Sequence, residues 1–270
     1  MSNPLPDHQM FGDAYTPSQI AERVLKMGVT KANADATTLL ILGIMAGAFI
    51  ALGGLLFAVT VTGSNLGFGI TRFIGGISFC LGLILVVIGG AELFTGNNLL
   101  AMAWAGNMIS TKAMLRNWCI VYLGNVIGAL GMVACTSWAH TADMADGTVG
   151  ATLIGIAQSK VHLGLGAAFI KGILCNTLVC LAVWLAMGGH SVTDKILAII
   201  FPISAFVAMG FEHSIANWFF LPLGMMLDTS GNVTMQGSIL NLVVVTFGNI
   251  VGGSLLVAGV YWVAYVRGNK

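Results

Sequence analysis

Six long apolar segments, separated by short polar stretches, dominate the chain. They cover residues 38–62, 69–106, 113–138, 163–188, 196–227 and 239–266. A helix needs roughly 20 apolar residues to cross the hydrocarbon core of a bilayer, so four of the segments have the length of a single crossing. The second and fifth are too long for one straight helix, and both carry polar residues near their middle. The pattern predicts an all-α integral membrane protein with six transmembrane helices, of which the second and fifth are broken.

The composition supports the same fold class. Hydrophobic residues make up 57% of the 270 positions and charged residues only 8%, whereas about 25% of the residues in a soluble domain are charged. Alternating strands of about 10 residues, which are typical of a membrane barrel, do not occur in the sequence. The five cysteines all fall in apolar segments without CxxC spacing, so we expect small hydrophobic side chains and neither a metal site nor a cofactor.

The basic residues predict the orientation of the helices. If the N-terminus lies in the cytoplasm, eight basic residues are cytoplasmic: Arg23, Lys26, Lys31, Lys112, Arg116, Lys195, Arg267 and Lys270. Only Arg72 and Lys160 are then external, and Lys171 falls within a span. Because cytoplasmic loops are enriched in Lys and Arg, we expect both termini to be cytoplasmic.

Residues 1–36 form a polar N-terminal segment ahead of a channel domain at 37–267, and no cleavable signal peptide is visible. Residues 16–19 read TPSQ, a capping box with proline at the first helical position. Ile20, Val24 and Met27 then form an apolar stripe that ends at Gly28. We expect a short amphipathic helix at the cytoplasmic interface. It serves either as an anchor or as a gate over a pore.

Two motifs occur twice in the chain. Residues 90–97 read GAELFTGN and residues 210–217 read GFEHSIAN, while 117–128 and 241–252 both fit N-x₆-G-N-x-x-G. The repeats predicted from these matches cover about 37–138 and 163–266, with three helices each. Because three is odd, the second repeat is inverted in the membrane, which places a binding site near the midplane where the repeats meet. The glycines of the second motif have the spacing of tight helix packing.

The octets fall where the second and fifth helices are broken. Non-helical backbone is tolerated at membrane depth only where it is buried in protein or lines a cavity, and the freed backbone groups need partners. We assign the structural support of the breaks to Glu92, Glu212, Asn97, Gly90 and Gly210. The half-helices beyond the breaks would direct their positive N-terminal ends to the midplane, where they favour an anion.

The octets and KGILCNTLVCLAVW at 171–184 resemble the signature segments of the formate/nitrite transporters. The resemblance extends over about 37–266. It implies a homopentamer of aquaporin-like six-helix protomers, each with its own pore, in a bacterial-type inner membrane. The implied partners are membrane lipid, protons and small monovalent anions, with formate first and nitrite as the alternative, and no nucleic acid.

The resemblance also implies roles for individual residues. His213 matches the central histidine, Thr95 its partner on the first broken helix, and Asn176 the neighbouring asparagine. Further pathway positions are Leu83, Leu93 and Phe94 at the cytoplasmic constriction, Phe79 and Phe206 at the outer constriction, Lys160 in the outer vestibule, and Asn217. Two features weaken an exclusive assignment to formate: Lys171 stands where some formate-selective relatives are apolar, and GAELFTGN replaces the aspartate version of the best-known formate channels.

His213 carries the chemical hypothesis. An ionisable group at the midplane of a membrane protein is a candidate functional site, and histidine titrates near physiological pH. A bare anion at an apolar constriction has a large desolvation cost, which protonation to the neutral acid removes. Either His213 gives that proton, or it only forms a hydrogen bond while water supplies the proton.

Other residues keep two interpretations each. Glu92 and Glu212 brace the breaks or carry protons. Thr95 donates to the anion or caps a half-helix. Lys160 attracts anions or is an ordinary loop lysine. Lys171 either reaches the membrane interface, which is the favoured interpretation, or has a role in transport.

The predicted function is therefore a channel or proton-coupled carrier for formate and related anions, with nitrite or hydrosulfide as the alternative cargo. A neutral-solute channel is the alternative from another class, but the sequence lacks an Asn-Pro-Ala box. An enzyme is not expected, because no cofactor motif, paired histidines or thiol cluster occurs.

Overall fold

The structure is a computed structural model that describes residues 14–268. These residues form helices and connecting loops, with no strand in the described range. The helices of the N-terminal half are α1 Pro17–Asn33, α2 Ala36–Val61, α3 Phe68–Gly89, α4 Phe94–Asn97, α5 Leu100–Ala105 and α6 Thr111–Trp138. Those of the C-terminal half are α7 Thr148–Val161, α8 Leu165–Gly188, α9 Val192–Ala208, α10 Ser214–Leu227, α11 Met235–Ile250 and α12 Val260–Tyr265.

Five helices in the described range are long and apolar enough to cross a membrane: α2, α3, α6, α8 and the continuous helix Met235–Tyr265. That last helix contains a π-helical segment, Val251–Gly259, between α11 and α12. The predicted fifth segment is divided into α9 and the shorter apolar helix α10. The predicted second segment is divided into α3, α4 and α5. The chain is thus an all-helical membrane protein, as the apolar pattern predicted.

A left-handed glycine begins each of the two breaks. Gly90 has φ of +81° and Gly210 has φ of +70°, a conformation that a residue with a Cβ atom rarely adopts. Short extended stretches follow, and their amides bond to neighbouring spans. The Glu92 N–H donates to Leu42 O at 3.1 Å, and the Glu212 N–H donates to Lys171 O at 3.3 Å. The breaks are therefore held by α2 and α8.

Two buried asparagines close the breaks in matching ways. Asn125 of α6 donates its amide to Gly43 O and Glu92 O, both at 2.8 Å, and accepts from the Phe94 N–H at 2.8 Å. Asn249 of α11 donates to Gly172 O at 2.8 Å and Glu212 O at 3.0 Å, and accepts from the Ser214 N–H at 2.9 Å.

The glycine spacing of the repeated motif around these asparagines predicts helix packing alone. Their part in the breaks was missed, although the signal was present: an asparagine at the same place in both motifs, within apolar segments. The packing role is also present. A Cβ atom on Gly128 would lie 1.9 Å from Ile44 O, and one on Gly252 would lie 2.2 Å from Ile173 O. Only glycine permits these close approaches of α6 to α2 and of the last span to α8.

The N-terminal helix α1 begins with the predicted capping box. The Gln19 N–H donates to Thr16 Oγ1, and the Thr16 N–H donates to Gln19 Oε1 at 2.9 Å. The apolar stripe predicted for this helix ends at Gly28, but the helix itself is longer and continues to Asn33. A Cβ atom on Gly28 would lie 3.0 Å from the Ala103 side chain. This glycine therefore serves close packing against α5, and it does not end the helix.

Candidate functional site

His213 lies between the two broken segments. It precedes α10, and its Nδ1 accepts from the Ala216 N–H at 3.2 Å, so the side chain caps the helix. Its Nε2 lies 3.1 Å from Oγ1 of Thr95, which belongs to α4. Because Nδ1 accepts a hydrogen bond, the neutral ring carries its proton on Nε2 and donates it to the threonine hydroxyl. The predicted pairing of His213 with Thr95 is thus present in the structure.

Asn176 of α8 lies behind Thr95 rather than beside the imidazole. Its Nδ2 lies 2.7 Å from Asn249 O, 2.8 Å from Asn98 Oδ1 and 3.2 Å from Thr95 O. Cys180, one helical turn further along α8, also donates to Thr95 O through its thiol, at 3.3 Å. These contacts fix the backbone that presents the Thr95 hydroxyl. Asn176 therefore contacts the histidine's partner, and its direct role toward a substrate stays a prediction.

A small apolar cavity adjoins His213, which we call the central cavity. Its volume is about 10 Å³, close to the minimum for one water molecule. Four of the predicted constriction residues line it: Phe79, Leu83, Leu93 and Phe206. The rings of Phe79 and Phe206 meet edge to face with their centroids 5.5 Å apart. The structure therefore brings these four residues together at the histidine.

Phe94, the fifth predicted constriction residue, is placed differently. Its ring packs edge to face against Tyr122 at 4.9 Å and against Trp118 at 6.2 Å. It does not line the central cavity. Its position is set by these two residues of α6, and its role in a constriction stays a prediction.

Two larger cavities flank this centre. The Lys160 cavity, of about 210 Å³, shares Phe79, Phe206 and His213 with the central cavity. Its charged lining residues are Arg72, Lys160, Lys171 and Glu212. The Lys31 cavity, of about 270 Å³, shares Leu83 and Leu93 with the central cavity and contains Glu92 and Asn97. A row of three cavities with His213 at its narrow point therefore runs through the described part of the chain.

A lysine, a glutamate and an asparagine form a matching cluster at each break. Lys160 Nζ lies 2.9 and 3.1 Å from the carboxylate oxygens of Glu212, which also accepts from Asn217 Nδ2 at 2.7 Å. At the other break, Glu92 Oε2 accepts from Lys31 Nζ at 3.0 Å and from Asn97 Nδ2 at 2.6 Å. All three predicted support residues with polar side chains, together with Asn217 from the predicted pathway, are thus hydrogen-bonded within a break.

The structure excludes one interpretation of Lys160 and gives two further basic residues, Lys31 and Arg72, places that were not predicted. Lys160 is not a loop lysine, because it lies on α7 and is ion-paired, with 12% of its side chain exposed. Lys31 was predicted only to be a cytoplasmic basic residue, but it forms an ion pair with Glu92 at the first break. Arg72 was likewise missed as a cavity residue. Sequence reasoning had no signal for Lys31 or Arg72, since neither has a counterpart in the repeated motifs.

Nothing in the described range resembles a metal or disulfide site. No group of three or more His, Cys, Asp or Glu side chains is placed to hold a metal ion among residues 14–268. The five cysteines, all of which lie in this range, are unpaired.

Helices long enough to span a bilayer, two supported breaks and a row of cavities define a membrane transport protein. The chain belongs to the formate/nitrite transporter family, whose sequence model matches residues 18–263. It is 38% identical to the formate channel FocA of Escherichia coli K12 over 95% of this chain and 96% of that one. It is 40% identical to FocA of Haemophilus influenzae, over 90% and 92% of the two chains.

Solved structures show the same kinship. A pentameric formate channel with formate bound matches with a TM-score of 0.79 and 37% identity, over 86% of this chain and 98% of the other. An FNT family ion channel matches with a TM-score of 0.84 and 30% identity, over 92% and 99%. These relatives are channels and not enzymes, which confirms the predicted class and the resemblance found in the sequence.

Proposed function

We propose that this protein conducts formate and related small monovalent weak-acid anions along the three cavities, with a proton moving alongside the anion through the His213 site. The observation that carries the proposal is the position of His213. It is the titratable side chain shared by the central cavity and the Lys160 cavity. The formate bound in a pentameric relative supports the choice of anion.

The apolar centre is the reason for a proton. A carboxylate entering a cavity lined by Phe79, Leu83 and Leu93 would lose its hydration without an equivalent replacement. Once protonated, it is a neutral acid, whose transfer costs far less. In this step a proton adds to a formate oxygen, an O–H bond forms, and the negative charge disappears before the narrow passage. The Nε2–H of His213 and the Thr95 hydroxyl are the hydrogen-bonding groups beside this path.

The source of the proton has two versions, and the contact of Nδ1 with the Ala216 N–H bears on both. A neutral ring that gave up its Nε2 proton would become an imidazolate. His213 can therefore act as an acid only after taking up a second proton, which breaks the cap on α10. In the other version the neutral ring donates a hydrogen bond and water supplies the proton. We propose the first version, in which an imidazolium returns to the neutral ring as the neutral acid forms.

We further propose a homopentamer in a bacterial-type inner membrane, with six spans per protomer arranged as two inverted repeats and with both termini in the cytoplasm. The matching bonds of Asn125 and Asn249 support the repeat. The pentameric relative supports the assembly, and the distribution of Lys and Arg supports the orientation.

Uptake of labelled formate into proteoliposomes at two pH values, with empty liposomes as the control, tests the proposed function. We expect formate uptake that is faster at the lower external pH. Labelled nitrite measured in parallel tests the alternative cargo, and labelled glycerol tests the neutral-solute class. Uptake of glycerol without uptake of either anion would contradict the proposal.

A further inference from the structure

Arg72 of α3 has no role in the pathway described so far, yet it lines the Lys160 cavity. Its Nε donates to Ala208 O at 3.2 Å, and its Nη2 donates to Val207 O. The guanidinium also lies over the Phe57 ring, 5.5 Å from the centroid. These contacts hold the side chain in one place at the edge of the cavity.

The two carbonyls that Arg72 binds belong to the last turn of α9. A helix C-terminus carries a partial negative charge on its unpaired carbonyl groups. Phe206 lies in the same turn and lines both the Lys160 cavity and the central cavity. Without a cation at this place, an anion on its way to His213 would meet the negative end of α9.

The positive charges that line the Lys160 cavity outnumber the negative ones. The ammonium of Lys160 is matched by the Glu212 carboxylate. Arg72 and Lys171 have no such carboxylate partner among residues 14–268. Within the lining of this cavity the pair of Lys160 and Glu212 is neutral, and the two other cations supply the net positive charge.

Arg72 also retains donors for a ligand. A guanidinium carries five N–H groups in a planar fork that suits a carboxylate, and two of them are used on α9. Gly210 lies beside it, and a Cβ atom on this glycine would be in van der Waals contact with Nη2, at 3.5 Å. Three N–H groups therefore remain at a cavity where an anion would arrive.

We infer that Arg72 is the anion-recognition residue of the Lys160 cavity, and that through its bonds to α9 it also positions Phe206. This inference rests on the proposed anion transport. It assigns the attraction of anions to Arg72, in place of the ion-paired Lys160. The positive charge of Arg72 raises the concentration of anion at the site. Its hydrogen bonds to Val207 O and Ala208 O set the position of Phe206, which lines the central cavity.

Two substitutions separate these effects in formate uptake by proteoliposomes. Arg72→Gln removes the charge, and we expect KM to rise about 3–10-fold at about 10 mM ionic strength, where the Debye length is about 30 Å. The increase should largely disappear at about 150 mM, where that length is about 8 Å. Arg72→Lys keeps the charge but not the planar fork, so KM should rise less than in Arg72→Gln and should keep its dependence on ionic strength. The maximal rate should fall because the bonds to α9 are lost.

Lys195→Gln is the matched control, because it removes one positive charge from the first turn of α9, at the opposite end from Val207 and Ala208, which Arg72 contacts. It should leave KM unchanged at both ionic strengths. An Arg72→Gln protein with the wild-type KM at low ionic strength would overturn the inference and leave the proposed function standing. If Arg72→Gln does not assemble, Arg72→Lys decides, and a KM that rises and no longer depends on salt would overturn it. Wild-type protein without formate uptake would instead overturn the proposed function.

Discussion

The imidazole of His213 joins the two broken segments of the chain. Its Nε2 contacts Thr95 Oγ1 on one segment at 3.1 Å, while its Nδ1 caps the other at the Ala216 amide. Both ring nitrogens are thus occupied by the protein itself. A second proton on this ring must bind Nδ1 and therefore displaces the contact with the Ala216 amide.

His213→Gln should uncouple protons from the anion. Glutamine keeps hydrogen-bonding capacity but does not titrate near neutral pH. We expect an assembled protein that passes formate down its gradient. It should lose proton co-movement and the steep change of flux between about pH 5 and 8, the range in which an unperturbed histidine titrates. A pH-sensitive dye inside proteoliposomes reports the protons. Proton coupling equal to that of the wild type would contradict this prediction and leave water as the proton source. Thr95→Ser is the control, because it keeps the hydroxyl that contacts His213.

Glu212→Gln should act on stability more than on the pH response. The substitution leaves Lys160 without its carboxylate in a site where only 7% of the Glu212 side chain is exposed. Losing one partner of a buried pair costs about 3 kcal/mol, so the melting temperature in detergent should fall. Glu92→Gln is the matched variant at the other break, with Lys31 as the unpaired cation. A normal melting temperature together with a lost pH response would identify Glu212 as a proton carrier instead.

Gly128→Ala should disrupt the contact between α2 and α6. The added methyl group would lie 1.9 Å from Ile44 O, which forces the helices apart and costs about 1–3 kcal/mol or more. Gly131→Ala lies on the same helix with no atom within 4 Å of the added methyl group. It should be neutral or stabilising by at most about 1 kcal/mol. Thermal unfolding of the purified proteins measures both, and equal effects would contradict the packing argument.

Asp228 should make the loop after α10 sensitive to acid. Hydrogen bonds from the Ser230 side chain, and then from the Val233 amide, hold the pKa of Asp228 below its ordinary value. A lowered pKa in the folded state contributes stability above the unfolded value of about 3.9, and that stability is lost as pH falls through the folded pKa. Asp228→Ala should therefore lower the melting temperature at pH 7 and not at pH 2. Asp146→Ala, in the loop before α7, is the control. If Asp228→Ala lowered the melting temperature equally at pH 7 and pH 2, the stabilising role of the ionised Asp228 would be contradicted.

The apolar pattern was sufficient for the fold class, because a segment of bilayer length has few alternatives to a helix. The breaks were also predictable, since Gly90 and Gly210 stand beside acidic residues that an apolar helix would not otherwise contain. The end of α1 was not predictable, because Gly28 permits a helix end and close packing alike. Only the neighbouring Ala103 shows that packing applies.

The contact between His213 and Thr95 was predictable, whereas contacts with partners from distant parts of the chain were missed. His213 and Thr95 lie within the repeated octets, so their positions marked them. Lys31 reaches Glu92 across 61 positions of sequence, and Arg72 reaches Val207 across 135. Contacts of this kind depend on how helices pack, and periodicity along one helix carries no information about them.

The asparagines that close the breaks have a consequence for how the protein responds to acidity. Asn125 and Asn249 are carboxamides, which neither gain nor lose a proton across the physiological range. Each holds three backbone groups, so the scaffold around both breaks keeps its hydrogen bonds at any pH the cell presents. Under the proposed function, acidification would therefore act on the His213 site while the hydrogen bonds of these two asparagines stay constant.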